Sequence, residues 1–413
     1  MGLCGSKTSD SPVAVQGDEK KGSVDQWMRV LPAPDADLSA IAAALVSKAN
    51  TDTTLSPPGA CCGCLKASGN GCFELRMAAA GVRQRDTKGN AVCHTDVWHL
   101  GSCTKAMTAT LVAVLIDAGS FPGYSTTLSQ CTTRSIDGSE SCATFDGCYA
   151  DVTMEQLLTH TAGIPPNSDV WGLAWELNGK AMSMPVQRAK YLSALLSGKS
   201  GGRGPTGIYS YSNEGYIIAA HMIELHCGKD YEILLRQELF VPLGMASARF
   251  GRQGNPDDLQ GKTPSEEEVR KVPWGHGEQS GWAAKDPREG NSDNPKVVNP
   301  AGRVHCSMAD WARFIAVHID KQAANSMLGI RESTFTAMHQ RHEPSDNNYC
   351  TGGFITAQRG WQVGDLCITH NGSNMLNTCS VWATEGAATL VCTNHGGCSG
   401  VIDEAHGAII ALF

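Results

Sequence analysis

From residue 36 to 50, apolar side chains recur at Leu38, Ile41, Leu45 and Val46, the spacing of one face of an amphipathic helix. A Pro57-Pro58-Gly59 break follows, and Cys61, Cys62 and Cys64 then stand in a short run that predicts a buried strand. The Gly69-Asn70-Gly71 turn and a second run from Cys72 complete a hairpin. From Ser102 the apolar residues continue almost all round, through Ala106, Met107, Ala109 and Leu111 to Leu115, until Gly119 ends the segment. That pattern predicts a helix enclosed by protein.

Beyond it, residues 120 to 150 carry Cys131, Cys142 and Cys148 among Ser, Thr and Gly, and predict a long surface loop with free thiols. Leu157 to Ile164 predicts a helix end stopped by Gly163, with His160 a hydrogen-bonding residue of the framework. A Gly-rich loop at 197 to 207 precedes Tyr209-Ser210-Tyr211-Ser212-Asn213, which opens a helix through Ile217, Ile218, Met222 and Ile223. Residues 251 to 299 are polar and rich in Pro and Gly, and with Trp274, His276 and Trp282 they predict loops at the rim of a site. Ser307, with Asp310 three residues on, predicts the next helix start. Strands are then expected at 350–358, 366–370, 377–383 and 388–393, before a last helix to Phe413.

Composition narrows the function classes without choosing one. The 413 residues are 41% apolar and 18% charged with a formal net charge of −8 and no long basic block, which argues against nucleic acid as a partner. No apolar run reaches the roughly 18 residues of a membrane-spanning helix, and no secretion signal opens the chain. Seventeen cysteines in that setting point to mostly reduced thiols and a cytoplasmic protein. The first residues change one part of this picture. Gly2 behind Met1, Cys4 and Ser6 fit the pattern for myristoylation at Gly2 and palmitoylation at Cys4, which would anchor the protein to the cytoplasmic face of a membrane. The expected organisation is therefore a flexible tail over 1–35 and one domain over 36–413, with a helical subdomain within about 120–300.

The candidate chemistry starts at Ser102. A serine at a helix N-terminus sits beside unpaired backbone N–H groups, and Lys105, three residues on, shares its face. Alone, Ser-x-x-Lys is a weak motif; Ser102 can be an N-cap and Lys105 a solvated lysine. Two further elements follow in order, Tyr211-Ser212-Asn213 and His370-Asn371-Gly372. The Gly198-Lys199-Ser200-Gly201-Gly202 match to a nucleophile elbow lacks the flanking strand and helix that motif requires.

Taken together, the three elements resemble the serine beta-lactamase and penicillin-binding-protein superfamily. The resemblance is to the branch of class C beta-lactamases, D-aminopeptidase, related esterases and LACTB-like proteases, and it covers roughly residues 36 to 413. Pro58-Gly59-Ala60, Pro242-Leu243-Gly244-Met245 and Pro300-Ala301-Gly302 with Asp310 to Phe314 add to it. It implies an α/β fold of the α+β sandwich kind, with a five-stranded antiparallel sheet flanked by helices and an all-helical subdomain. It further implies that Ser102 attacks a carbonyl to form an acyl-enzyme, with Lys105 and Tyr211 sharing the proton transfers. Asn213, His370 and Gly372 would bind substrate, and the backbone N–H groups of Ser102 and Ser373 would form the oxyanion hole.

One position departs from the family pattern. His370 stands where classical beta-lactamases carry a lysine for the antibiotic's carboxylate, and a histidine is mostly neutral at pH 7. This favours a hydrolase of esters or of small or peptidic amides. A beta-lactamase or D,D-peptidase, and a catalytically silent binding protein of this fold, are the other two readings. Cys392-x-x-His395-x-x-Cys398 has metal-like spacing but falls at a strand end; no metal or organic cofactor is expected.

Overall fold

Strand β2 (Gly59–Gly69) shows why this sequence builds a two-sided sheet. Its side chains alternate, so Cys61 and Leu65 enter one hydrophobic cluster while Ala60, Cys62 and Cys64 enter another on the opposite face. The cysteines serve as small apolar residues, and burial pushes the Cys62 thiol up to about 12. At the tip of the hairpin Gly69, Asn70 and Gly71 all have positive φ, as the tight turn into β3 (Cys72–Gly81) requires.

The computed structural model describes residues 27–31, 35–47, 56–85, 87, 89–132, 142–164, 169–197, 204–259, 262–341, 348–357 and 367–413. The lipidation positions Gly2 and Cys4 and the 198–202 match lie outside them. No helix among the described residues is long and apolar enough to cross a membrane.

With β1 (Met28–Val30), β7 (Ile355–Thr356), β8 (Cys367–Ser373), β9 (Thr378–Thr384) and β10 (Ala387–Thr393), the main sheet runs β1-β3-β2-β10-β9-β8-β7. Its five long strands are antiparallel, and β1 pairs parallel to β3 at one edge. Helices α1 (Ala36–Ser47) and α6 (Ser399–Ile410) cover one face through Leu38, Ala42, Leu45, Ile402 and Ile409. The other face packs on α2 (Thr104–Asp117) and α5 (Met308–Ile319). Every residue of α2 from Thr104 to Leu115 is buried, because the helical part of the molecule closes over its far side. That part includes α3 (Met184–Leu195) and α4 (Asn213–Cys227), tied by Arg188 of α3, which is fully buried between Glu224 and Glu232. A second, smaller sheet pairs β4 (Val97–His99) with β6 (Val304–Ser307), and β6 with β5 (Arg249–Arg252).

Four expectations need correction. The tail expected over 1–35 ends earlier, since Met28–Val30 finds a free edge on β3. Residues 120–150 are not wholly surface loop: Leu128–Thr132 is helical and Leu128, Cys131 and Tyr149 are buried, because these apolar side chains fill the space beside α4. The strand expected over 350–358 shrinks to Ile355–Thr356, with Cys350 and Phe354 buried in a turn. The 251–299 segment is partly interior. His276 is fully buried, accepting from Arg85 N on Nε2 (3.1 Å) and bonding Asn394 O through Nδ1 (2.8 Å), and burial lowers its pKa to about 4.

Candidate active site

Ser102 lies not on the first α-helical turn but on a 3-10 turn, Gly101–Cys103, that leads into α2. The turn is pressed against the end of β8, and two glycines permit it. Gly101 has φ +50, and a Cβ there would stand 2.3 Å from Ser373 N. A Cβ on Gly372 would stand 1.9 Å from Leu100 O. The backbone around Ser102 and that around Ser373 are thereby brought side by side.

Lys105 is fully buried, while Ser102 keeps partial exposure. Its Nζ is 2.7 Å from Asn213 Oδ1, 2.8 Å from the Ala301 carbonyl and 3.2 Å from Ser102 Oγ. Asn213 is placed by the start of α4, where the Ser212 side chain caps the helix by accepting from Gly215 N. Ala301 belongs to a short helical turn, Asn299–Gly302, that packs on α2. Burial lowers the Lys105 pKa to about 7, against the opposing pull of Glu214 and Cys103.

The Tyr211 ring lies 4.7 Å from Lys105 Nζ, beside Ser102. Burial drives its hydroxyl well above the usual tyrosine range, so it stays a proton carrier at neutral pH. His160 packs on the Tyr211 ring at 4.4 Å between centroids and accepts from Ser212 N through Nδ1 at 3.1 Å. Burial, then Lys105 and His370, hold its pKa well below normal, so it is a neutral support in contact with the tyrosine.

His370 is buried, and both its nitrogens are committed inside the protein. Nδ1 donates to Asn371 O at 2.6 Å, which leaves Nε2 to accept from the Tyr349 hydroxyl at 2.8 Å. The ring therefore does not present a free nitrogen to a carboxylate. Tyr349, itself buried, is the reason. No local pattern marks it; it reaches the site from the turn before β7. Sequence reasoning likewise missed the Ala301 carbonyl as a lysine anchor, although Pro300-Ala301-Gly302 stood out as a motif. It also missed a buried carboxylate behind the turn, Asp293, whose neighbours include His99, Arg303 and Asn374.

Among the described residues no group of three or more His, Cys, Asp or Glu is arranged to hold a metal ion. His395 of the metal-like spacing stacks on Trp282 at 4.5 Å, and Cys392 is buried in β10. A cavity of about 510 Å³ lies elsewhere, lined by Met184, Glu232, Phe240, Phe250 and Lys296 among others.

A family model described as Beta-lactamase matches residues 74–402. Penicillin-binding protein 4 of Amycolatopsis lactamdurans is 29% identical over 259 residues, which cover 61% of this chain and 58% of that protein. An unguisins hydrolase of Aspergillus violaceofuscus is 25% identical over 237 residues, 54% of this chain and 36% of that protein. The chain thus spans 58% and 36% of the length of these two relatives. The D-amino acid amidase of Ochrobactrum anthropi SV3, solved with L-phenylalanine, superposes with a TM-score of 0.64 at 18% identity, covering 91% of this chain and 96% of that one, a likeness of fold.

Proposed function

Since this chain belongs to the beta-lactamase family, we propose that it is a serine hydrolase cleaving an ester or amide bond through an acyl-enzyme on Ser102. The observation that carries the reading is the setting of Lys105. With two N–H bonds directed at Asn213 Oδ1 and the Ala301 carbonyl, a neutral Nζ turns its lone pair toward Ser102 Oγ. A pKa near 7 makes that neutral form abundant at physiological pH.

The steps follow from these positions. Lys105 Nζ takes the Ser102 proton as Oγ attacks the carbonyl carbon, and the oxyanion is received by the N–H groups of Ser102 and Ser373. Tyr211, still protonated, gives its proton to the departing alcohol or amine and is reprotonated from Lys105. Water then releases the acyl group by the same route in reverse. Asn213 orients Lys105 and faces the substrate beside Gly372. His370 serves as a support for Asn371 and Tyr349.

The commitment of both His370 nitrogens argues for an uncharged ester or amide over a beta-lactam or cell-wall peptide carboxylate. The penicillin-binding relative keeps that second reading in view. Intact mass spectrometry after treatment with a fluorophosphonate tests the proposal. One adduct is expected on the wild type and none on Ser102→Ala; an unlabelled wild type would instead indicate a silent binding protein. Fast turnover of a chromogenic cephalosporin would overturn the preference for esters and small amides.

The Gly2, Cys4 and Ser6 pattern supports acylation of the N-terminus and a membrane-associated pool. A Gly2→Ala variant should move wholly to the soluble fraction; persistence on membranes would refute it.

A further inference from the structure

We propose that Asp293 is a positioning residue that aligns the nucleophile turn, the oxyanion strand and the lysine anchor with one another, an inference that rests on the hydrolase reading above. Its carboxylate is buried and reaches three segments. Oδ1 is 3.1 Å from His99 Nε2 and accepts from Asn374 Nδ2 at 3.3 Å, while Oδ2 accepts from Arg303 Nε at 3.1 Å.

The His99 arm sets a tautomer. His99 Nδ1 accepts from Gly101 N at 3.1 Å, so the proton must sit on Nε2, facing the carboxylate. The Asp293 carboxylate, 3.1 Å away, suits that arrangement through its charge, the contact being too poorly aligned for a hydrogen bond. Were Nε2 to meet a donor instead, the ring would have to carry its proton on Nδ1 and oppose the Gly101 N–H, one residue before Ser102.

The Asn374 arm orients an amide by the same logic. With Nδ2 on Asp293, Asn374 Oδ1 accepts from Asn377 N at 2.9 Å and Leu376 N at 3.2 Å, which fixes the chain leaving Ser373. The Arg303 arm runs to the lysine. Arg303 Nη1 donates to Asn299 Oδ1 at 2.6 Å, and Asn299 opens the turn whose Ala301 carbonyl receives Lys105 Nζ. Burial raises the Asp293 pKa, but His99 and Arg303 outweigh it and hold the carboxyl ionised well below the usual range. A charge-neutral amide replaces it poorly, because Arg303 and Asn374 donate to its two oxygens and the N–H of His99 Nε2 faces it.

The test is Asp293→Asn, with Asn374→Ala as a milder cut through one arm that keeps the question open if the first variant does not fold. Three quantities are read on titrated active sites: kcat and KM on a p-nitrophenyl ester, and the rate constant for fluorophosphonate labelling of Ser102. Misplaced donors should lower kcat and the labelling rate together, by roughly 10- to 100-fold in Asp293→Asn and less in Asn374→Ala, with KM changed by no more than about threefold. A merely structural role would lower the titratable fraction and leave the rates per site alone. Folded variants with rates per site within about twofold of wild type would overturn the inference. A wild type that does not label at Ser102 would sink the hydrolase reading first, and this inference with it.

Discussion

Lys105 Nζ lies 2.7 Å from Asn213 Oδ1, and with the Ala301 carbonyl at 2.8 Å this contact decides where the lysine's third tetrahedral position faces. That position is Ser102 Oγ, 3.2 Å away. Because burial lowers the Lys105 pKa to about 7, protonation should block the base. The log of kcat/KM is therefore expected to rise with unit slope below pH 7 and level off above it. An ascending limb centred near pH 10 would show that the lysine is not the base.

Lys105→Met separates activity from stability. A lysine titrating near 7 in the fold and near 10.5 when unfolded binds fewer protons in the native state between those values. Its burial therefore weighs fully against folding below pH 7, and the cost fades as pH rises toward 10.5. The methionine variant should lose activity by at least about 1000-fold yet be no less stable than wild type at pH 7, with the advantage shrinking toward pH 10. Urea melts at both pH values check the sign; a destabilised variant at pH 7 would contradict it.

Tyr211→Phe removes a hydroxyl but keeps the ring that packs on His160. Because the hydroxyl acts as a proton carrier, kcat should fall by roughly 100- to 1000-fold while the melting temperature stays within a few degrees. Unchanged turnover would leave the proton transfers to Lys105 alone.

Tyr349→Phe strips His370 Nε2 of its donor in a buried setting. About 1 kcal/mol of stability should be lost in denaturant melts. The freed nitrogen should also change the ratio of turnover of carboxylate-bearing to neutral esters. An unaltered ratio would mean that the ring never faces substrate.

Gly372→Ala places a Cβ 1.9 Å from the Leu100 carbonyl, which no side-chain movement can relieve. The strand must leave the nucleophile turn, with a stability loss of about 1–3 kcal/mol and near-complete loss of fluorophosphonate labelling. Gly69→Ala, which would meet nothing within 4 Å but has φ +89, should cost stability without touching labelling.

Local features were legible in the order of the residues. The all-round apolar run after Ser102 specified an enclosed helix, the Gly69-Asn70-Gly71 turn specified the hairpin, and the spacing of Ser102 and Lys105 put both on one face. Each of these follows from side-chain period or backbone sterics within a few residues. The order of the three motifs was legible too, and it carried the resemblance to the family.

The remaining features depend on contacts between distant segments. His370 reads as a substrate-facing residue in its motif, but Tyr349 arrives from a separate turn and takes its second nitrogen. Ala301, Asp293 and His99 gain their parts because segments far apart in sequence meet around one 3-10 turn. The lysine's lowered pKa has the same origin, since burial is a property of an assembled interior. Hydrogen-bond partners and desolvation depend on what lies across the gap, and a chain's local pattern does not carry that information.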